Sequence, residues 1–528
     1  MNLAGMAELG SGWKEQVQPA LLASLLLLLC FEVALRVRSP RRTRSPPGPF
    51  AWPLLGNVMQ LGELPHLTFC RMAQKYGDVF QIRLGRRAVL VLNGEAAIRR
   101  ALLGQCAQFA GRPGFSSYRA ISGGKSMAFG GYSELWRLHR KIAHSTLRAF
   151  SSADADARAI LQRHIADEAR ELVEAFASLS ARGRYFDPSL ECTVAVANVI
   201  CALCFGQRYG HEDQEFKSLL GRTLKFGQTV GAGSLVDLLP WLQTFPNPAR
   251  SLYRSFQELN REAFDFVKAK ISHHRRTYDP AVTRDMSDAF IRDIGRLGDG
   301  YVEGTVTDLF GAGQDTNSAA LTWVLFLLVR YPHLQARLHE ELEGAVGRER
   351  LPAWEDRRRL PFLEAFLYET LRFSSFVPFT IPHCTTADVT VDGFHVPKDT
   401  VVFVNQWSVN HDRAKWKDPH AFDPGRFLDD KGELDRDLAK GVLIFSLGKR
   451  RCIGDEFSKV QLFLFTAILL HQCTFLADPA EGLSMGCVNG LTLRPRPFSL
   501  SVTLRHRRRQ PSASDSGPGI FASTSATC

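Results

Sequence analysis

Residues 445–454 read FSLGKRRCIG, which places Cys452 behind three consecutive basic residues and between two glycines. A cysteine so placed is a disulfide half, a nucleophile, a metal ligand or an ordinary buried thiol, and the rest of the chain has to decide. The stretch that follows, IGDEFSKVQLFLFTAILLHQC, is strongly helical in composition and apolar in its second half. Cys452 therefore stands at a helix N-terminus, where free amides and the dipole stabilise a thiolate. Gly448 and Gly454 let the backbone approach something flat and wide, and Arg450 can meet an anion. No histidine base is placed by the sequence, which weakens the nucleophile.

The eleven cysteines of this 528-residue chain are scattered, with one close pair, Cys201 and Cys204. That distribution is unlike a secreted disulfide framework and suits a reducing compartment. The pair lies in apolar NVICALCFG without a second ligand pair, and reads as two packed helix cysteines rather than a zinc site. Hydrophobic residues make up 45% and charged residues 23%, as in a globular core. The net charge of +11 belongs to the ends. Arg36, Arg38, Arg41, Arg42 and Arg44 lie in one acid-free stretch, and Arg505, Arg507, Arg508 and Arg509 lie near the C-terminus. Without them the body carries about +2, so the charge is not a nucleic-acid signal.

Between Val17 and Leu35 the strongly polar residues are Gln18 and Glu32, a length that just reaches the ~20 residues of a bilayer-crossing helix. Arginines and SPPGPFAWPLLGN follow in place of a small-residue cleavage site, as in an uncleaved anchor. Arginines downstream place the following chain in the cytosol. Prolines 46, 47, 49 and 53 make a stiff spacer. The expected organisation is an anchor over 1–35, a basic and proline-rich linker over 36–57, a catalytic body over 58–505 and a small, polar, disordered tail over 506–528.

Within the body, VFQIRLGRRAVLVLNG (79–94) alternates and turns at Gly85, reading as a β-hairpin. VTVDGFHVPKDTVVFVN (389–405) reads likewise, with its turn at Asp392-Gly393. Most of the remainder has helical period, as in residues 159–179 and 333–346. The fold class is mainly α with a small β part. GGKS (123–126) ends like a phosphate loop, but position 119 is Arg where that loop needs Gly, and no G-x-G-x-x-G follows a strand. A reducing nucleotide therefore acts through a partner.

DLFGAGQDTNSAALTWVLFLLVRYP (308–332) predicts a long helix whose C-terminal half is buried all round. Glycine costs a helix about 1 kcal/mol, so Gly311, Ala312 and Gly313 imply something large against that face. Asp315 and Thr316 beside them imply polar work; a close helix crossing, with Thr bonded back to a carbonyl, is the alternative. In YETLRF, Glu369 and Arg372 are three apart and can pair, next to the apolar FSSFVPFTIP. FDPGRF adds Arg426. A single thiolate with no partner cysteine, as at Cys452, suits an axial haem ligand.

FSLGKRRCIG, AGQDT, ETLR and WRLHR (136–140) resemble, in order and spacing, the motifs of the cytochromes P450, and the anchor and PPGP hinge resemble the microsomal type. SGGKSMAFG, TVGAGSLVDLLPWLQTFPNP, FSSFVPFTIPH and VVFVNQWSVNHD look like vertebrate family 1, nearer its B and C subfamilies than its A subfamily. The resemblance covers residues 17–505 and implies one cytochrome P450 fold with an N-terminal transmembrane helix. It implies haem b (iron protoporphyrin IX) ligated by Cys452 in the setting of Phe445 and Gly448, with propionates met by Trp136, Arg140, His383 and Arg450. Asp315 and Thr316 would position oxygen and relay protons, while the thiolate favours O–O cleavage. Glu369, Arg372 and Arg426 would form a structural ion network. The usual Pro-Glu-Arg-Phe reads Pro424-Gly425-Arg426-Phe427 here, which puts that element's full network in question. Phe129, Phe226, Asp308, Ala312, Gly313 and Thr380 resemble substrate-pocket positions suited to flat ligands.

The implied activity is insertion of one oxygen atom from O2 into lipophilic substrates such as polycyclic aromatic hydrocarbons, estrogens, retinoids or fatty acids. Electrons would come indirectly from NADPH through NADPH–cytochrome P450 reductase, with cytochrome b5 as a second donor. Arg137, Arg140, Lys141 and Lys449 suit an acidic redox partner. The implied location is the endoplasmic reticulum (microsomal) membrane, with lipid a partner and nucleic acid none. A thiolate-haem isomerase or peroxide rearrangement enzyme, needing no reductase, is the rival enzyme class, and a haem sensor is the non-catalytic one. Asp315 and Thr316 favour the monooxygenase.

Overall fold

The computed structural model describes residues 44–505 apart from 154, 211 and 230–234, together with position 23. The expected anchor (position 23 apart) and the tail beyond 505 lie outside the described residues, and no helix among the described residues is long and apolar enough to cross a membrane. The longer helices are α1 (Pro65–Tyr76), α2 (Glu134–Arg148), α3 (Ala155–Leu179), α4 (Ser189–Phe205), α5 (Gln214–Thr229) and α6 (Pro248–Arg276). They continue with α7 (Met286–Ile294), α8 (Tyr301–Arg330), α9 (Pro332–Ala345), α10 (Pro361–Ser374) and α11 (Asp455–Gln472).

Helix α8 is the axis. From Asn317 to Val329 every residue is buried, and α4, α6, α10 and α11 pack around it. A helix with no polar face must be enclosed on all sides. α4, buried from Cys192 to Phe205, covers it along much of its length, and Cys201 and Cys204 lie in that packed interior. Starts are set by local chemistry: Ser133 accepts the Trp136 amide at 3.1 Å at α2, and Asn247 with Pro248 opens α6.

The small β part holds one four-stranded sheet. Strands β1 (Val79–Leu84) and β2 (Arg87–Leu92) form the expected hairpin, Val79 opposite Leu92, closing at Gly85. β3 is His383–Cys384, β4 Val389–Val391, β5 Phe394–Val396 and β6 Val401–Val404. β4 and β5 pair about Asp392 (φ 51°) and Gly393 (φ 78°), as read from the sequence. The second half of that stretch departs from the reading. β6 leaves β5, runs parallel to β2 and takes β3 on its other edge. Val401, Val402 and Val404 are all buried, and a strand apolar on both faces needs neighbours that a lone hairpin lacks.

The proline-rich stretch, read as a spacer, is docked from residue 44 onward. Gln81 donates to Pro47 O at 2.7 Å, His395 donates to Arg44 O at 2.8 Å, and Gly56 bridges Leu84. Proline lacks a donor but keeps its carbonyl, so this segment edges the sheet as an acceptor.

His139 on α2 is buried, its Nε2 donating to Thr305 Oγ1 at 2.6 Å, because the Thr305 hydroxyl itself donates to Tyr301 O at 2.7 Å. Burial lowers its pKa to about 4. The unfolded chain takes up this proton near 6.5, so folding stability is lost as pH falls from about 6.5 towards 4. His139→Gln keeps the donor and removes the titration. The stability difference between the two proteins, from urea unfolding, narrows by about 2 kcal/mol between pH 7.5 and pH 5.

Candidate active site

The cysteine loop folds back before α11 begins. Cys452 donates its amide to Phe445 O at 2.8 Å, and the Gly454 amide bonds its sulfur. Gly448 has φ 70°, and a Cβ there would stand 2.0 Å from Leu102 O, so its smallness serves that backbone approach rather than a flat ligand. Cys452 is exposed, and yet burial pushes its thiol up, with the Gly454 amide, Arg140 and Arg451 offsetting in part and Asp455 adding to the rise. The helix N-terminus alone does not deliver the thiolate expected from the sequence; a bound metal charge is what would.

A second open surface lies on α8. Ala312 is exposed between buried Phe310 and Gln314, and a Cβ on Gly311 meets nothing within 4 Å. Asp308 and Thr316, one turn either side of Ala312, share its row. The Thr316 hydroxyl donates to Ala312 O at 2.7 Å. Gly313 does not join them: a Cβ there would press on Ile200 Cδ1 at 2.9 Å, so its smallness admits α4. Asp315 also points elsewhere, accepting from Arg494 Nη2 and from the Thr492 hydroxyl, both at 2.9 Å.

Around buried Trp136 gather three arginines. Arg450 stacks 3.8 Å from the indole centroid and Arg140 5.6 Å from it. Arg450 donates to the carbonyls of Ala110, Met127 and Gly130, and Arg112 to those of Ala128, Ile381 and Pro382. Arg140 reaches Arg451 O. Among the described residues no carboxylate pairs with any of the three. Burial, then Arg112 and Arg140, lower the Arg450 pKa to about 8, and burial lowers that of Arg112 to about 10. Beside them His383 donates Nδ1–H to Phe109 O at 2.7 Å, while Nε2 is buried without a partner. Burial, then Arg112, depress its pKa to about 3.

Buried cations without a counter-charge are costly, and this group lacks an anion. Arg450 still has one free N–H on each terminal nitrogen. Two carboxylates together with a metal for the sulfur would complete both sets, which is what the propionates and iron of haem b supply. The donor set fits the group.

Glu369, Arg372 and Arg426 meet as expected. Arg372 grips Glu369 with two bonds of 2.7 and 2.8 Å, both side chains fully buried, and Arg426 Nε adds a third at 3.1 Å. The remaining donors of Arg372 hold the carbonyls of Asn410, Pro419 and Ala421. Gly425, where an acid is usual, leaves this network intact: the Asp423 amide donates to Glu369 and its carboxylate caps Gly425 N. Phe129 packs edge-on to Tyr118 at 4.8 Å, and Thr380 is buried with its hydroxyl unpartnered. Phe226 lies on α5, its side chain outside the described residues.

The sequence profile of the family Cytochrome P450 matches residues 46–502. The chain is a cytochrome P450. It is 52% identical over 504 residues to cytochrome P450 1B1 of Homo sapiens, covering 92% of this chain and 93% of the relative. It is 53% identical over 474 residues to that of Mus musculus, covering 87% of each. Cytochrome P450 1A1 of Macaca fascicularis is 43% identical over 490 residues, covering 90% of this chain and 95% of the relative. The chain thus falls in vertebrate family 1, nearer the B than the A subfamily, and is a haem b monooxygenase.

Sequence reasoning passed over Arg112, for which the acid-free run FAGRPGF was a faint signal, and over Thr492 and Arg494. It also missed Ser122 and Ser126, which bond Asp308. Breaking a fully buried ion pair from one side costs about 3–5 kcal/mol. Glu369→Gln therefore lowers stability by that amount in urea unfolding, whereas Asp423→Asn, which weakens only the cap on Gly425, costs about 1 kcal/mol.

Proposed function

We propose that this cytochrome P450 oxidises flat, lipophilic molecules of polycyclic aromatic or steroid type at the endoplasmic reticulum membrane. It takes electrons from NADPH through a reductase. The observation that carries the reading is the pair of exposed positions, Cys452 ahead of α11 and Ala312 on α8 in one row with Asp308 and Thr316. Haem b, when bound, supplies the redox chemistry that activates O2 and transfers one of its atoms to carbon. Cys452 is the residue that ligates the iron, and Trp136, Arg140, His383 and Arg450 are those that hold the carboxylates. The imidazole now donates from Nδ1, so it meets a carboxylate through Nε2 only when protonated, and a carboxylate in place raises its pKa.

Substrate lies along the Ala312 face, where the absence of bulk accepts a flat ring, with Phe129 as an aromatic wall and Thr380 a polar contact; Phe226 is a pocket residue by family resemblance alone. Asp308 borders this space, although its oxygens already accept four bonds from residues 122–128. It therefore limits the pocket rather than gripping a polar group. Thr316 handles protons: its hydroxyl hydrogen is held by Ala312 O and is released by rotation about the side chain. Asp315 can pass a proton to that site only by leaving Arg494. Lys141, Lys449 and Arg137 are all exposed and suit an acidic electron donor, which makes reductase and cytochrome b5 the partners in view.

Reconstituted with NADPH and reductase, the protein turns over alkoxyresorufins and estradiol ahead of arachidonate; turnover without NADPH would mark an isomerase instead. Cys452→Ala abolishes the thiolate-type band in the carbon monoxide difference spectrum of the reduced protein. Thr316→Ala leaves that band in place and lowers product formed per NADPH roughly tenfold or more; unchanged coupling removes Thr316 from proton delivery.

A further inference from the structure

Asp308 is a half-buried carboxylate that no lysine or arginine pairs with among the described residues. It is satisfied instead by one loop. Ser122 Oγ donates to Oδ1 at 2.6 Å, and Ser126 Oγ, Met127 N and Ala128 N donate to Oδ2 at 2.9, 2.7 and 3.0 Å. The loop is one that needs holding: Ser122, Gly123 and Gly124 have φ of 52°, 59° and 76°, a left-handed run that is strained at the serine.

The other side of the same loop faces the arginine cluster. The carbonyl of Met127 accepts from Trp136 Nε1 at 2.9 Å and from Arg450 Nη1 at 3.2 Å. That carbonyl and the Ala128 N–H belong to one planar peptide group. A single peptide unit is thus clamped between the Asp308 carboxylate at its N–H and the Arg450 guanidinium at its C=O. A parallel route runs beside it. Ser126 Oγ, which donates to Asp308, accepts from Phe129 N at 3.0 Å, and the peptide it joins offers Ala128 O to Arg112 Nε at 2.9 Å. Chains of hydrogen bonds polarise one another, most of all where water is excluded.

We propose that Asp308 is a positioning residue for the haem carboxylates: by holding the N–H of the Met127–Ala128 peptide it aims that peptide's carbonyl at Trp136 and Arg450. This rests on the reading that Arg450 holds a haem carboxylate. Asp308 then touches both the rim of the substrate space and the clamp on the cofactor. The peptide between them transmits a change at either end. Asp308→Asn keeps the side chain's shape but removes the charge and turns an amide NH2 towards N–H groups that need an acceptor.

The test uses the loaded, full-length protein and two readouts other than turnover. The first is the propionate bending band in the resonance Raman spectrum, and the second is the rate of haem loss to excess apomyoglobin. Arg450→Lys shifts the band and speeds haem loss, which checks the underlying reading. Asp308→Asn shifts the band in the same sense and speeds haem loss roughly 10-fold to 100-fold, the range of a lost charge-assisted hydrogen bond. The double variant adds little beyond Arg450→Lys alone, because both changes act on one chain of bonds. Ser126→Ala, which removes one bond to Oδ2 and keeps the carboxylate, shifts the band less in the same sense and serves if Asp308→Asn does not accumulate. An unmoved band in Asp308→Asn or Ser126→Ala, with Arg450→Lys moving it, overturns the proposal and spares the reading. Additive effects in the double variant overturn it as well. If Arg450→Lys leaves the band in place, the reading fails first and the proposal with it.

Discussion

The interior of this protein is built round cations that must be answered. Near Trp136, three arginines are answered by backbone carbonyls alone, and one imidazole nitrogen is left over. Carbonyl dipoles satisfy N–H groups but do not cancel charge, and the low dielectric that strengthens each bond also raises the cost of the uncompensated cation. Folding therefore yields a site whose electrostatics are complete only when an anion arrives. The same reasoning covers Cys452, whose thiol is pushed up by burial and which a bound metal charge would draw the other way. Cofactor binding and folding are in this sense linked: whatever binds the native state and not the unfolded chain stabilises the native state.

The ion network at Glu369 handles the same difficulty by the opposite means. One carboxylate takes two arginines and a backbone amide, and the spare donors of Arg372 are used up on the carbonyls of Asn410, Pro419 and Ala421. That cluster is closed and asks for nothing further. It joins α10 to the irregular segment ahead of the cysteine loop, a stretch with little regular hydrogen bonding of its own. A buried pair is a weak source of stability and a strong source of geometric definition where its donors are directional. Its value here is that it fixes where residues 410–426 lie.

What could be read in the sequence was what neighbours in the chain decide. The turn at Gly85, the hairpin at Asp392-Gly393, the buried run after Ser318 and the cysteine ahead of α11 are all contiguous patterns. Glu369 and Arg372, three apart on one helix, belong with them. The misses are contacts between distant segments. Gly448 is small because of Leu102 and Gly313 because of Ile200, and a sequence shows the glycine without the neighbour. Asp315 sits in a motif that points to the site, yet it is claimed by Arg494, 179 residues away. The path of β6 was misread because the turn after β5 looked like the continuation of a hairpin; only the parallel partner β2 explains why all three valines are buried.

Asp308 shows how far such long-range assignment can change a residue's meaning. By position on α8 it looks like a group aimed at substrate, and its row with Ala312 and Thr316 is real. Its oxygens, however, face a loop whose backbone then continues to Arg450 and Arg112. An acid and two arginines that never touch are thereby joined through two peptide groups, a separation at which direct Coulomb attraction is weak unless the intervening dipoles are aligned. Here they are aligned, N–H towards the acid, directly for one peptide and through Ser126 Oγ for the other, and C=O towards the arginines. The loop over residues 122–130 is therefore the element that joins Asp308 on α8 to Arg450 and Arg112 through aligned peptide groups.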